Sequence, residues 1–460
     1  MVSFFNHYYL HLLQLTWYLH VLILHVILAI AIYAFPLVSK IYGILIPLFG
    51  TILLINTKNK NNEVLLVASY VVGSEVLLRM TGGNIAHEIA KYEVIYFLIL
   101  GMFFSGVSKN SILYLFFILL LLPGVYIGAN VLGYEVDVKN AILFNILGEV
   151  CLFFSALYCY QRKVTLQQLE YIIKAIALPL VSIISYLFLY TPSIKDVVTG
   201  TQSNFETSGG FGPNQVSTIL GLGMFCFFAL LVLFSKTNKA KIIHLSFLIA
   251  ASFRGIITFS RGGVFTAIAM MVVLIAVLYW FANTKAKNLI VVLSISALII
   301  GGFVWTYSVL QTGGMIENRY ANKDARGREK EDRLGGREQI AGTELTMFME
   351  NPVWGIGVGK NKEHREEMTG IVAASHNEIT RLLAEHGVFG IIAFLILLFT
   401  PLILYFNNRE HVFLLSFFVF WLLTINHAAM RLAAPAFIYA LTLLKVSFVD
   451  ENSVPREQTV

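Results

Sequence analysis

The stretch Ser111-Ile112-Leu113-Tyr114-Leu115-Phe116-Phe117-Ile118-Leu119-Leu120-Leu121-Leu122-Pro123-Gly124-Val125-Tyr126-Ile127-Gly128 carries no charge. A helix needs about 20 predominantly apolar residues, within about 17 to 25, to cross a bilayer. These residues therefore read as a membrane span. Working outward with the same criterion gives spans near 18–37, 41–56, 64–80, 92–107, 111–128, 141–160, 170–190, 215–235, 242–259, 263–281, 288–310, 388–406, 411–428 and 432–448. The fold class is all-α, a polytopic helical membrane protein of about 12 to 14 transmembrane helices. Composition agrees: only 13% of the 460 residues are charged, against roughly 25% in soluble proteins, which excludes a water-soluble enzyme of two or three domains.

Basic residues in short loops favour the cytoplasm. Lys58, Lys60, Lys109, Arg162, Lys163, Lys236, Lys239, Lys241, Lys285, Lys287 and Arg409 all fall on one side when the fourteen spans alternate, which makes both termini cytoplasmic. No cleavable signal peptide is evident at the start of the chain. The other side receives 81–91, 129–140, 191–214, the tip 260–262, and 311–387. That last loop concentrates charge, since 317–386 holds 11 Lys/Arg and 13 Asp/Glu, or 24 of the 60 charged residues. Loops longer than about 15 residues are usually functional or disordered, and its helical pattern favours function. Four regions follow: N-terminal transmembrane helices at 1–190, central ones at 191–310, the long external loop at 311–387, and C-terminal transmembrane helices with a cytoplasmic tail at 388–460.

The net charge of +6 reflects membrane orientation, and no nucleic-acid motif accompanies it. Cys151, Cys159 and Cys226 lie within apolar runs and read as small core residues, with neither a disulfide framework nor metal-ligand spacing.

Five constellations carry the chemistry. Gly209-Gly210-Phe211-Gly212-Pro213-Asn214-Gln215 leads directly into a span: glycine permits a tight turn, Pro213 suits a first helical turn, and helix-start amides favour anions. Phe259-Ser260-Arg261-Gly262-Gly263 forms a hairpin tip, where Arg261 either snorkels to headgroups or faces a watery cavity. Arg254 is two turns earlier on the same helix face, so it either joins Arg261 or forms a buried ion pair, with Glu149 as one possible partner. The basic run Arg319, Lys323, Arg326, Arg328, Lys330, Arg333 and Arg337 reads mostly as a solvated face. Arg337 stands apart, because it follows Gly335-Gly336 and opens the helical stretch 338–350, and its planar fork suits a phosphate.

Asn351-Pro352-Val353-Trp354-Gly355-Ile356-Gly357-Val358-Gly359-Lys360 lacks the βαβ setting and the GK[ST] ending of a nucleotide loop, and reads as a loop packed tightly on helices. In Ser375-His376-Asn377-Glu378-Ile379-Thr380-Arg381-Leu382-Leu383-Ala384-Glu385-His386-Gly387, Ser375 and Glu378 have capping-box spacing and Gly387 marks a helix end. His376 then falls in the first turn, where the helix dipole disfavours imidazolium and leaves a ring able to accept a proton. Glu75 and Arg79 read as an i,i+4 pair, and His87 with Glu88 either lines an acceptor channel or is ordinary exposed polarity.

In this order across about 205–395, these stretches resemble the O-antigen ligase and O-antigen polymerase family of bacterial envelope glycosyltransferases. The resemblance implies an inner-membrane, multi-pass enzyme with its active site facing the periplasm. The implied donor is an undecaprenyl-pyrophosphate-linked glycan, and no metal, nucleotide or other cofactor takes part. Arg261 and Arg337 match the arginines that grip the pyrophosphate, and His376 matches the histidine near the acceptor. Together these three form the catalytic set, while Arg254, Gly210, Pro213, Asn214 and Asn377 are assigned to substrate binding. One departure is that Ser208 and Gly209 stand where an arginine often precedes the glycine-rich loop. Besides membrane lipids, the partner expected is a lipid A core, as in a ligase; a glycan acceptor, as in a polymerase, and protein serine or threonine stand as alternatives. A single long external loop favours the ligase. A transporter or flippase using Glu75, Glu149 and Arg254 is the remote alternative, against which stands the lack of internal duplication.

Overall fold

A computed structural model describes residues 2–133, 135–330 and 336–448, with side chains from Thr16 onward. Arg333, Gly335 and the C-terminal tail from 449 lie outside the described residues. The described chain is all-α apart from two three-residue strands, Lys163–Thr165 and Lys445–Ser447, which pair in parallel.

Each of the fourteen expected segments coincides with a helix. Among the described residues, nine helices are long and apolar enough to cross a membrane by themselves: Thr16–Ala34, Leu37–Thr57, Lys109–Val131, Val138–Cys159, Leu166–Tyr190, Pro213–Phe234, Arg261–Phe281, Thr284–Gln311 and Glu378–Asn407. The others are charged or short. Glu63–Met80 carries Glu63, Glu75 and Arg79, and Asn238–Ile256 carries Lys239, Lys241 and Arg254. Most of Glu63–Met80 is buried within the bundle, where protein partners can satisfy its charges in place of water.

The last expected span, 432–448, needs correction. Helix forms only over Ala433–Leu441, all nine residues of which are buried. At 1.5 Å per residue this helix covers about 14 Å, so non-helical chain at 442–447 completes the passage from the 428–433 corner to the basic-loop end. The chain then turns at 442–444 and becomes the strand that pairs with Lys163–Thr165. Apolar composition did not distinguish this buried half-helix from a lipid-facing span.

Hydrogen bonds tie the basic loops together at one end of the bundle. Asn59 Nδ2 donates to Tyr158 OH (2.8 Å) and Ser105 Oγ (2.9 Å), Arg162 Nη2 to Gly106 O (2.7 Å), and Asn408 Nδ2 to Leu444 O (2.6 Å). The opposite end gathers the segments around 79–88, 191–215, 256–262 and 428–433. It also receives the long loop, which contains the helices Met315–Tyr320, Arg337–Glu350 and Lys360–Thr369. Close packing beneath this end depends on small residues. A Cβ on Gly263 would lie 2.0 Å from Ser217 O, and one on Gly221 would lie 2.2 Å from Gly263 O, so the Pro213–Ala229 and Arg261–Phe281 helices cross backbone against backbone. Cys151, Cys159 and Cys226 are buried free thiols, as expected.

Candidate active site

Two of the glycine-rich motifs meet directly. Pro213 occupies the first turn of Pro213–Ala229, as its fixed φ favours, and the next residue, Asn214, accepts a hydrogen bond from Ser260 Oγ through its Oδ1 (2.8 Å). Ser217 Oγ in turn donates to Ser260 O (2.7 Å). Gly210 adopts φ +70°, and a Cβ there would lie 2.8 Å from Tyr190 OH. On the other flank, a Cβ on Gly262 would lie 2.3 Å from the His427 ring, so glycine lets that imidazole lie over the turn beside Arg261. His427 Nδ1 bonds with Leu423 O (2.8 Å) and Nε2 faces Thr218 Oγ1 (3.3 Å).

Arg261 is the first residue of Arg261–Phe281, and its Nη1 donates to Asn322 Oδ1 (2.7 Å) and Arg319 O (3.4 Å). Arg319 reaches back the other way, its Nε donating to Phe259 O (3.0 Å). The hairpin tip and the start of the long loop are thereby interlocked. Arg337 opens its helix after Gly336 (φ +75°), as expected. Burial and then the neighbouring charges lower the pKa of both Arg319 and Arg337: Arg261 acts on each, and Arg337 also acts on Arg319. Arginine remains a cation under such shifts. Three guanidiniums therefore share one partly buried region, an arrangement whose charge suits a multiply charged anion. Arg319 corrects the reading of the basic run as a solvated face. Arg328, with a side chain 70% exposed and paired to Asp324 at 2.7 Å, fits that reading.

His376 is also neutral, for a reason other than the expected one. The helix begins at Glu378 with Asn377 as its cap, whose Oδ1 accepts from Ile379 N (2.9 Å) and Thr380 N (3.4 Å). The expected capping box does not form. Ser375 Oγ instead donates to Glu344 Oε2 (3.2 Å) and Asn377 O (2.9 Å), and the Glu378 carboxylate turns inward. His376 therefore precedes the helix. Its pKa is lowered to about 4 by burial first, then by Arg431, Arg337, Arg365 and His427. The segment carrying it is held rigidly: Glu344 also accepts from Thr380 Oγ1 (2.5 Å) and pairs with the fully buried Arg365 (2.6 Å), which donates to Ala373 O. Arg431 Nη2 donates to Ser375 O (2.6 Å), and Asn377 Nδ2 donates to Asn426 Oδ1 (3.2 Å).

Beneath His376, Arg381 contacts three carboxylates, Glu149, Glu378 and Glu385, the last at 2.8 Å. Glu149 is thus committed to Arg381 and is not the partner considered for Arg254. A small, partly open pocket lies here, lined in part by Phe144, Glu149, Ser375, Arg381 and Arg431. Arg254 stands apart from the cluster: it is fully buried, donates to Thr191 O (3.4 Å) and Thr207 O (3.1 Å), and stacks over Phe188. Its charge secures the loop entering Pro213–Ala229. Glu75 and Arg79 form the expected pair (2.7 Å) and clasp the corner before Ala433–Leu441, through Arg79 Nη2 to Arg431 O (3.2 Å) and Ala433 N to Glu75 Oε2 (2.8 Å). Glu88 is bound to Arg79 and Lys91, while the His87 side chain is 63% exposed.

The glycine-alternating loop packs on helices as expected. Ile356 N bonds Ala384 O (2.8 Å) and Val358 N bonds Gly124 O (2.9 Å). Gly387 breaks the Glu378–Asn407 helix at φ +60°, and a Cβ there would lie 2.5 Å from Val353 O.

Arg319, His427 and Arg431 adjoin the candidate site without having been singled out for it, because Arg319 lies within the basic run and the corner at 427–431 carries no local motif. Arg381 was legible in principle, since it sits at i+3 from Glu378 and i,i+4 from Glu385.

Residues 245–395 match the family model described as O-antigen ligase, a family of membrane enzymes that transfer glycans. No curated protein matches the chain.

Proposed function

We propose, from the match of residues 245–395 to the O-antigen ligase family model, that this chain transfers a glycan from undecaprenyl pyrophosphate to an acceptor hydroxyl, with lipid A core as the acceptor, on the periplasmic face of the inner membrane. The observation that carries this reading is the convergence of Arg261, Arg319 and Arg337 beside a neutral His376. Pyrophosphate is already a good leaving group, so the protein's task is to orient the donor and stabilise departing charge. The guanidiniums do this, and Arg319 supplies a cation that the segment upstream of the glycine-rich loop lacks.

The acceptor oxygen attacks the anomeric carbon as His376 takes the hydroxyl proton. The bond from that carbon to pyrophosphate breaks, and undecaprenyl pyrophosphate leaves with its electron pair, so the configuration inverts in a single displacement. Before donor binding, burial and then the surrounding arginines make His376 a weak base. A bound pyrophosphate offsets those charges and raises its basicity when a proton must be accepted. Asn377, Pro213, Asn214 and Gly210 shape the walls of the site, and Arg254 acts from behind by holding the loop.

Purified protein incubated with lipid-linked glycan and a panel of lipid A core, free glycan and peptide acceptors tests this reading. Transfer to lipid A core, unaffected by a metal chelator, is the expected result. Transfer only to glycan or to peptide would replace the acceptor assignment, and transfer to none would overturn the enzymatic reading.

A further inference from the structure

Tyr320 closes the short helix Met315–Tyr320, immediately after Arg319. Its ring is fixed edge-on by Trp305 at 4.9 Å between centroids and Phe265 at 5.6 Å, so two membrane helices and the long loop together set its direction. The phenol oxygen is buried and, among the described residues, has no hydrogen-bonding partner. Phenylalanine would fill the same space without leaving a buried polar atom unsatisfied. The charges acting on this hydroxyl are Arg261 and Arg319. Burial outweighs them and holds its pKa up at about 12, so the group keeps its proton and is available as a donor.

We propose that the Tyr320 hydroxyl is a ligand of the donor's pyrophosphate, donating a hydrogen bond to a phosphate oxygen held between Arg261 and Arg319. This rests on the function proposed above. Guanidiniums supply charge to such an anion, while a rigid neutral donor supplies direction. The hydroxyl would thus help to distinguish a pyrophosphate from a monophosphate.

The test compares wild type with Tyr320→Phe, using farnesyl pyrophosphate and farnesyl monophosphate as probes of binding to detergent-purified protein. The variant should bind the pyrophosphate about ten- to a hundredfold more weakly, as for one hydrogen bond to a charged group. It should bind the monophosphate nearly as wild type does, and its melting temperature without ligand should be unchanged or higher. Unchanged pyrophosphate affinity would overturn the proposal, as would a lowered melting temperature with affinity intact, which marks a structural hydroxyl. Glycan transfer by wild type, measured alongside, separates the two ideas: transfer with unaltered Tyr320→Phe binding sinks only this one, and pyrophosphate binding without transfer sinks only the enzymatic reading.

Discussion

Arg261, Arg319, Arg337 and Arg431 crowd a small region at one end of the bundle, and protonation of His376 is opposed by burial as well as by charge. The pH dependence follows. With a free-enzyme pKa near 4, His376 stays neutral until quite acid pH, so kcat/KM should fall only as pH drops through about 4. In the donor complex the pyrophosphate counters the arginines, so the acid limb of kcat should lie at higher pH than that of kcat/KM. Parallel pH profiles of the two constants check this; coincident limbs would show that the donor does not sit among these charges. The same shift links to stability: since the folded pKa is below the unfolded value, the contribution of His376 is present above about pH 6.5 and is lost as pH falls toward the folded value. At this scale sequence reading reached Arg337 and His376, whose glycine and helix-start neighbours mark them. It missed His427 and Arg431, which nothing adjacent in the chain distinguishes.

The elements around the site are held by buried charge and by glycine. Arg381 joins Glu378–Asn407 to Val138–Cys159, with three carboxylates on one guanidinium. Removing the cation that contacts all three carboxylates should be severe. Arg381→Leu should cost at least about 3–5 kcal/mol of stability, and adding Glu149→Gln, Glu378→Gln and Glu385→Gln should recover part of the loss; thermal unfolding in detergent measures both. Gly387→Ala should destabilise by about 1–3 kcal/mol or more, because the residue combines a left-handed φ of +60° with backbone 2.5 Å from any Cβ. Helix positions were legible from apolar runs. The cap at Asn377 was not, because Ser375 has capping chemistry but spends its hydroxyl on Glu344, a partner 31 residues earlier.

Across the whole molecule, charge placement foretells the architecture better than apolar content does. The basic loops fall together at one end, and the charged long loop supplies the other. Single cysteines test which end faces outward. Glu367→Cys, in the long loop proposed to face outward, should react with a membrane-impermeant thiol reagent in cells with a permeabilised outer membrane, and Arg409→Cys should not; the three native thiols are buried and add little background. The apolar tally failed only where a helix is enclosed by protein, at Ala433–Leu441. Glycan transfer by purified protein, comparing wild type with His376→Ala at saturating donor, tests the general-base role of His376 most directly. kcat should fall about 10²- to 10⁴-fold with donor binding retained, and transfer by His376→Ala at the wild-type rate would contradict a general-base role for His376.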